Sequence, residues 1–291
     1  MGYKTENRCY NKVKINMKDK TYTFEKSKII QGDCLEKMKL IPDASVDMIL
    51  CDLPYGTTAC KWDTKIDLNA LWIEYKRIIK PYRAIVMFGS QPFTTTLISS
   101  NMEWFKYNWV WRKNRATGHV HAKNRPMKQH EDICVFSEGN TLHKNQSDKR
   151  MPYYPQGLVE LPPNTKRRTR NDAGDNAVMG KRKSHTETFT THTNYPISII
   201  EFDIEMNEDR FHEAQKPLEC CKYLIKTYSR EGDIVLDNTA GGGQTGIACI
   251  ETNRDFILIE QDTEYYEIIK DRVRKIFNNY GLDLQPLLET L

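Results

Sequence analysis

The sequence predicts an α/β fold built on one doubly wound, mostly parallel sheet with an insertion in the middle of the chain. Three observations carry this. The apolar run 46–51 stops at Asp52-Leu53-Pro54-Tyr55. A second run, Ile234-Val235-Leu236-Asp237, is followed by the glycine-bearing turn 238–246. A third, Phe256-Ile257-Leu258-Ile259, ends in Glu260. Short β-capable runs that stop at an acid mark buried strands delivering carboxylates to one edge of a sheet.

The elements follow in chain order. Residues 28–33 form a short strand ending in Asp33, and 43–45 lead into the strand that ends at Asp52. Leu68, Leu71, Trp72, Tyr75, Ile78 and Ile79 recur at helical spacing and stop before Pro81, which predicts one amphipathic helix. Residues 84–88 are the next buried strand. In the C-terminal quarter, strand 234–237, the glycine turn, the helix-compatible stretch 247–251 and strand 256–259 make one βαβ unit. If these strands lie parallel in one sheet, right-handed crossovers bring Asp33, Asp52, Ser90, Asp237 and Glu260 to a common carboxyl edge, where open α/β sheets bind ligands.

The βαβ unit suits a cofactor that contains a nucleoside. Glycines let the backbone turn tightly and approach a ligand, and an acid after the second strand can accept from both hydroxyls of a ribose. Gly241, Gly243 and Gly246 also satisfy G-x-G-x-x-G, so these residues alone leave a nicotinamide dinucleotide open.

Composition narrows the class. At 291 residues the chain can hold one large α/β domain with an insertion. Its eight cysteines include no C-x-x-C pair, so neither a metal site nor a disulfide framework is expected. No apolar stretch approaches a membrane span, and the expected location is cytoplasmic. Charge is uneven: residues 144–183 hold ten basic and four acidic side chains, a net of +6 against +4 for the whole chain. A basic segment on a near-neutral remainder points to a polyanion.

Taken together, the two half-sites resemble the amino-group DNA methyltransferases that use S-adenosylmethionine, and their order, catalytic motif first and cofactor motif last, resembles the beta class. The resemblance covers nearly the whole chain. Asp52-Leu53-Pro54-Tyr55 is similar to the catalytic motif, with Leu53 where many members have proline. Phe88-Gly89-Ser90-Gln91-Pro92-Phe93, residues 107–113, Ala116-Thr117-Gly118, residues 126–136 with His130-Glu131-Asp132, and His212-Glu213-Ala214-Gln215-Lys216-Pro217 are similar to the segments between the two motifs. The cofactor turn departs from the commoner Asp-Pro-Phe start, as Asp237-Asn238-Thr239, and has Gly242 where serine is frequent. Residues 1–136 then correspond to the catalytic half, 137–211 to a target-recognition insertion and 212–291 to the cofactor half, a circularly permuted strand order.

The resemblance implies roles. Asp52 and a main-chain carbonyl of Leu53 or Pro54 accept the two N–H bonds of a base amine, while Tyr55 stacks on a base rotated out of double-stranded DNA. Glu260 takes the ribose, Asp33 and Cys34 the cofactor adenine, and Lys216 the methionine carboxylate. Asp237, Asn238, Ala240, Gly241 and Gly243 bracket its amino group. Lys113, Arg115, Arg167, Arg168 and Arg170 are expected on DNA. Asp at the head of the motif favours adenine N6 over cytosine N4. Readings from other classes are an NAD-dependent oxidoreductase and a catalytically inactive DNA-binding subunit. Partners beyond DNA, a second copy of the chain or a cognate restriction nuclease, are left open by the sequence.

Overall fold

The computed structural model describes residues 14–17, 20–56, 63–142, 148–165, 190–204 and 214–279. Its N-terminal half runs β1 (Lys14–Met17), β2 (Lys20–Thr23), β3 (Lys28–Gln31), α1 (Cys34–Met38), β4 (Val46–Cys51), α2 (Leu68–Ile78), β5 (Ile79–Gly89), α3 (Phe93–Ser100), β6 (Phe105–Thr117) and β7 (Lys128–Phe136). Then come β8 (Val159–Glu160), β9 (His192–Thr193), β10 (Ile199–Glu201), α4 (Leu218–Tyr228), β11 (Ile234–Asp237), α5 (Gln244–Glu251), β12 (Asp255–Glu260) and α6 (Thr263–Asn279).

Eight strands form one sheet in the order β10-β6-β7-β5-β4-β11-β12-β3. Every neighbouring pair is parallel except the two made by β7, which runs against β5 and β6. The five strands predicted to share an edge are consecutive here. β11 and β12 from the C-terminus lie between β3 and β4 from the N-terminus, which is the permuted order.

Both faces of the sheet are covered, and the strands show it residue by residue. Met48 and Leu50 of β4, with Ala84, Val86 and Phe88 of β5, pack in one core with α4, α5 and α6. Their neighbours Ile49, Cys51, Ile85 and Met87 pack on the other face with α1, α2 and α3. A strand buried on both sides needs apolar residues at consecutive positions, which is why these segments lack polar alternation.

The exception inside β4 is Asp47, 2% exposed. Lys80 donates to its carboxylate at 2.7 Å, Arg83 lies 3.1 Å away, and the Ile234 amide donates at 3.1 Å. This explains a departure from the sequence reading. β5 starts at Ile79 rather than at residue 84, because Ile79 already pairs with Val46, and the register then shifts over residues 80–83, whose two cations hold Asp47.

The chain divides into two units, Met1–Tyr154 with Ser198–Leu291, and Pro155–Ile197. The smaller contains the antiparallel β8–β9 pair and falls within residues 137–211, which the sequence assigns to target recognition. Arg167, Arg168 and Arg170 lie outside the described residues.

Candidate active site

β4 feeds α2 and β5 toward one side of the sheet, and β11 feeds α5 and β12 toward the other. β4 and β11 are neighbours, so the chain reverses direction between them. The crevice beyond the carboxyl ends at such a reversal is where open α/β sheets bind ligands. Asp52 follows β4 and Asp237 ends β11. Both line a cavity of about 1100 Å³, together with Asp33, Tyr55, Lys216 and Glu260.

The catalytic-motif residues form a braced corner. Tyr55 donates from its hydroxyl to Asp52 Oδ1 at 2.8 Å, and Lys216 donates to Asp52 Oδ2. Thr239, from the cofactor turn, donates to the Asp52 carbonyl at 3.1 Å and ties the two half-sites together. The Tyr55 ring stacks on Phe93 at 4.8 Å and 21°, while Leu53 is buried and Pro54 lines the cavity. Burial pushes the Asp52 pKa upward, and the Lys216 ammonium holds back part of that rise.

Lys216 lies against Asp52 in the structure. Its ammonium is also 3.5 Å from Glu131 Oε2 and 5.2 Å from the Phe88 ring centroid. Burial alone would lower its pKa, but the Asp52 and Glu131 carboxylates outweigh that and raise it, so the group stays charged. Glu131 is itself held by Lys113. Burial favours its neutral form, yet Lys216 and Lys113 prevail and its pKa falls. Glu131 was not among the sequence-predicted residues. The sequence offered little signal, since Glu131 sits in the polar run Lys128-Gln129-His130-Glu131-Asp132 ahead of the apolar residues 133–136.

Lys113 is therefore placed otherwise than a phosphate contact would require. Its ammonium pairs with Glu131, sits 5.0 Å above the Trp111 ring, and its side chain is only 15% exposed. Arg115 lines the cavity rim.

The cofactor-motif residues gather on the other wall. Asp237 accepts from Thr245 Oγ1 at 2.6 Å and from the Thr239 amide at 3.1 Å. Burial raises its pKa to about 7 despite these donors, with Asp52 and Glu260 adding to the rise. Asn238 accepts from the Tyr75 hydroxyl at 2.5 Å, and its buried Nδ2 has no oxygen or nitrogen acceptor among the described residues; its neighbour is the Cys34 thiol, whose pKa burial raises and Asn238 holds back. Ala240 donates its amide to the Ile259 carbonyl at 3.0 Å. Gly241 donates to Glu260 Oε2 at 2.7 Å, and Asp262 to Oε1 at 2.9 Å. Asp33 caps α1 through the Glu36 amide at 3.1 Å.

The glycine spacing has structural reasons. Gly243 caps α5 at φ +79°, a conformation L side chains rarely adopt. A Cβ on Gly246 would come within 2.5 Å of Leu258 Cδ1, so this glycine lets α5 press onto β12.

Comparison with known proteins bears on the family and the fold. The pattern of the N6/N4 family described as DNA methylase matches residues 46–271, from the start of β4 into α6. The DNA adenine methyltransferase YhdJ of Escherichia coli K12 is 29% identical over 259 residues, covering 84% of this chain and 81% of its own. The crystal structure of the M1.HpyAVI–SAM complex superposes with a TM-score of 0.54 at 21% identity, over 84% of this chain and 98% of that one. The PvuII cytosine-N4-specific DNA methyltransferase gives 0.54 at 13% identity, over 86% and 90%. The fold and the braced carboxylate beside a glycine turn define an amino-group methyltransferase. This chain belongs to the N6/N4 DNA methylase family.

Proposed function

We propose that the protein transfers a methyl group from S-adenosylmethionine to the exocyclic N6 of an adenine rotated out of double-stranded DNA. The observation that carries the reading is the meeting of Asp52-Leu53-Pro54-Tyr55 with the glycine turn of β11–β12 in one cavity, joined by the Thr239 bond to Asp52.

The residues present fit this cofactor. Seven carboxylates and three cations line the cavity, a surplus of negative charge suited to a ligand bearing a sulfonium and an amine. That surplus disfavours the dinucleotide alternative, whose pyrophosphate would lie among Asp52, Asp237 and Glu260. The buried Asn238 Nδ2, with no oxygen or nitrogen acceptor among the described residues, can donate to a ligand, and Asp33, Asp237 and Glu260 can accept from adenine amine, ammonium and ribose hydroxyls. S-adenosylmethionine supplies a methyl group already activated by its positive sulfur.

The work left to the chain is alignment, in which positioning contributes up to about 7–11 kcal/mol in ideal cases. The lone pair of a base amine is delocalised into the ring, so the nitrogen must pyramidalise before it attacks. Asp52 draws one N–H and a carbonyl of Leu53 or Pro54 the other. Its oxygens already accept from Tyr55 and Lys216, but an ionised carboxylate offers about four acceptor sites. Lys216 thereby serves to keep Asp52 ionised against its burial, rather than to hold a cofactor carboxylate. Tyr55, backed by Phe93, offers a rigid face to the extruded base, where stacking is worth roughly 1–3 kcal/mol against an unstacking cost of a few. The amine proton leaves to Asp52 or water.

Adenine is favoured by Asp at the head of the motif and by the name of the 29% identical YhdJ. The test is incubation of the purified protein with methyl-deuterated cofactor and mixed-sequence duplex DNA, followed by nucleoside mass spectrometry. N6-methyladenine is expected. N4-methylcytosine would overturn the choice of base, and absence of both would overturn the activity.

A further inference from the structure

β6 and β7 form a ribbon that overshoots the sheet. β5 ends at Gly89, which pairs with Asp132, and Asp132 pairs with Val110. β6 nevertheless continues to Thr117 and β7 begins at Lys128, so the ribbon projects beyond the carboxyl edge by roughly 15–20 Å at about 3.3 Å per residue. Lys113, Arg115 and Thr117 line the cavity, so this arm rises from its rim.

Its composition is one-sided. Residues 112–128 contain six Lys or Arg and two His, with no Asp or Glu. At its base the charge is neutralised, Arg112 by Glu201 at 3.1 Å and Lys113 by Glu131. At the tip, Lys123 and Arg125 are exposed and form no ion pair among the described residues. The tip is a wound turn: Gly118 takes φ +91°, the His121 amide donates to the Gly118 carbonyl at 2.9 Å, and Asn124 and Arg125 donate to the His121 carbonyl at 2.8 and 3.0 Å. At its apex stands Val120, 91% exposed, the most exposed large apolar side chain among the described residues.

A built turn that presents an exposed apolar side chain close in sequence to two exposed cations, Lys123 and Arg125, has the chemistry of a wedge for stacked bases accompanied by phosphate contacts. We propose that the β6–β7 arm is a DNA-binding element, with Lys123 and Arg125 on phosphates beside the target base and Val120 entering the stack that the extruded base leaves. The placement fits the cavity's charge. Its acidic lining repels phosphates, so the duplex is held from a basic rim while one neutral base enters. This inference rests on the DNA-methylation reading and adds where the duplex is gripped.

Two variants test it with the full-length protein. In Lys123→Gln/Arg125→Gln, the slope of log affinity against log salt, measured on duplex DNA by fluorescence anisotropy, should shrink by up to about 1.8, that is about 0.9 for each lost contact. Val120→Gly should slow single-turnover methylation of paired duplex by about tenfold, with the deficit largely relieved when the target base is mismatched and already unstacked. Affinity for S-adenosylmethionine, read by calorimetry, should match wild type in both and so report an intact cavity. A wild-type slope together with an unchanged paired-to-mismatched rate ratio, in variants that bind cofactor normally, would overturn the arm while leaving the activity standing. A wild-type protein that neither binds nor methylates DNA would instead overturn the activity and the arm with it.

Discussion

Lys216→Met removes the ammonium that Asp52 and Glu131 share, and the structure sets both the size and the pH dependence of the result. Side-chain exposure is 10% for Lys216 and 22% for Asp52. Breaking such a pair by removing one partner costs roughly 3–5 kcal/mol, because the other charge stays buried. Glu131 keeps Lys113, and Asp52 can take up a proton, so the lower end, about 3 kcal/mol, is expected at neutral pH. For chains of this size that corresponds to roughly 6–12 °C in Tm, at about 2–4 °C per kcal/mol.

The dependence on pH follows by linkage. The Asp52 pKa is raised in the folded protein, and loss of Lys216 raises it further, so the folded variant holds a proton that the unfolded chain has released. Stability of the variant then falls as pH rises from the unfolded carboxylate pKa, near 4, through the elevated folded value. Lys216 contributes no competing trend, since its raised pKa stabilises the wild type throughout this range and is lost only in strong alkali. Asp237 is present in both proteins, so its contribution largely cancels in the difference. Calorimetric Tm measured from pH 5.5 to 8 should show a deficit that narrows toward acid, while methyl transfer at pH 7.5 falls by about a hundredfold as Asp52 loses the ammonium that favours its charged form. A deficit independent of pH, or one that widens toward acid, would refute the assignment of Lys216 to Asp52.

Asp52→Ala should abolish methyl transfer yet leave cofactor affinity within about tenfold, as read by radiolabel transfer beside calorimetry, because the carboxylate addresses the base amine more than the methyl donor. Glu260→Ala should weaken S-adenosylmethionine binding by about 1–3 kcal/mol, since a charged acceptor for the ribose is lost; an unchanged calorimetric affinity would place the ribose elsewhere. Gly246→Ala should lower stability by about 1–3 kcal/mol, measurable by urea unfolding, because its new Cβ meets Leu258 Cδ1 at 2.5 Å and forces α5 off β12.

The sheet was legible because its physics is local. Runs such as Met48 to Cys51 and Ile257 to Ile259 have no polar face, and only strands covered on both sides tolerate that. The acids after them were legible for the same reason, since a polar group at the end of such a run has to leave the core. Pairings across long sequence distance were not. Lys216 and Asp52 are 164 residues apart, and nothing near Lys216 says which of several carboxylates it will meet. Glu131 was missed because an acid in a strand looks like a solvated face until the neighbouring strand supplies Lys113 and the loop before α4 supplies Lys216. The basic segment 144–183 drew attention by charge alone, whereas the denser run at 112–128 is hidden in the sequence by the β-pattern on either side of it.

The charges in the cavity also explain why the two half-sites need each other. Asp52 raises the pKa of Asp237, as does Glu260, and Glu131 raises that of Asp52. Burial together with neighbouring carboxylates leaves Asp52, Asp237 and Glu260 costlier to ionise at this sheet edge. Lys216 offsets that cost on the catalytic side, where it neutralises Asp52 and Glu131 together. On the cofactor wall, Asp237 has only neutral donors among the described residues, Thr245 and the Thr239 amide, and they do not offset the burial that raises its pKa to about 7. A cationic ligand on that wall would supply the missing countercharge and draw Asp237 into its ionised form. Cofactor affinity should therefore increase with pH across neutrality, and the increase should vanish in Asp237→Asn. The same ligand would lower the field felt by Asp52, so that the wall that binds the methyl donor also readies the carboxylate that receives the base.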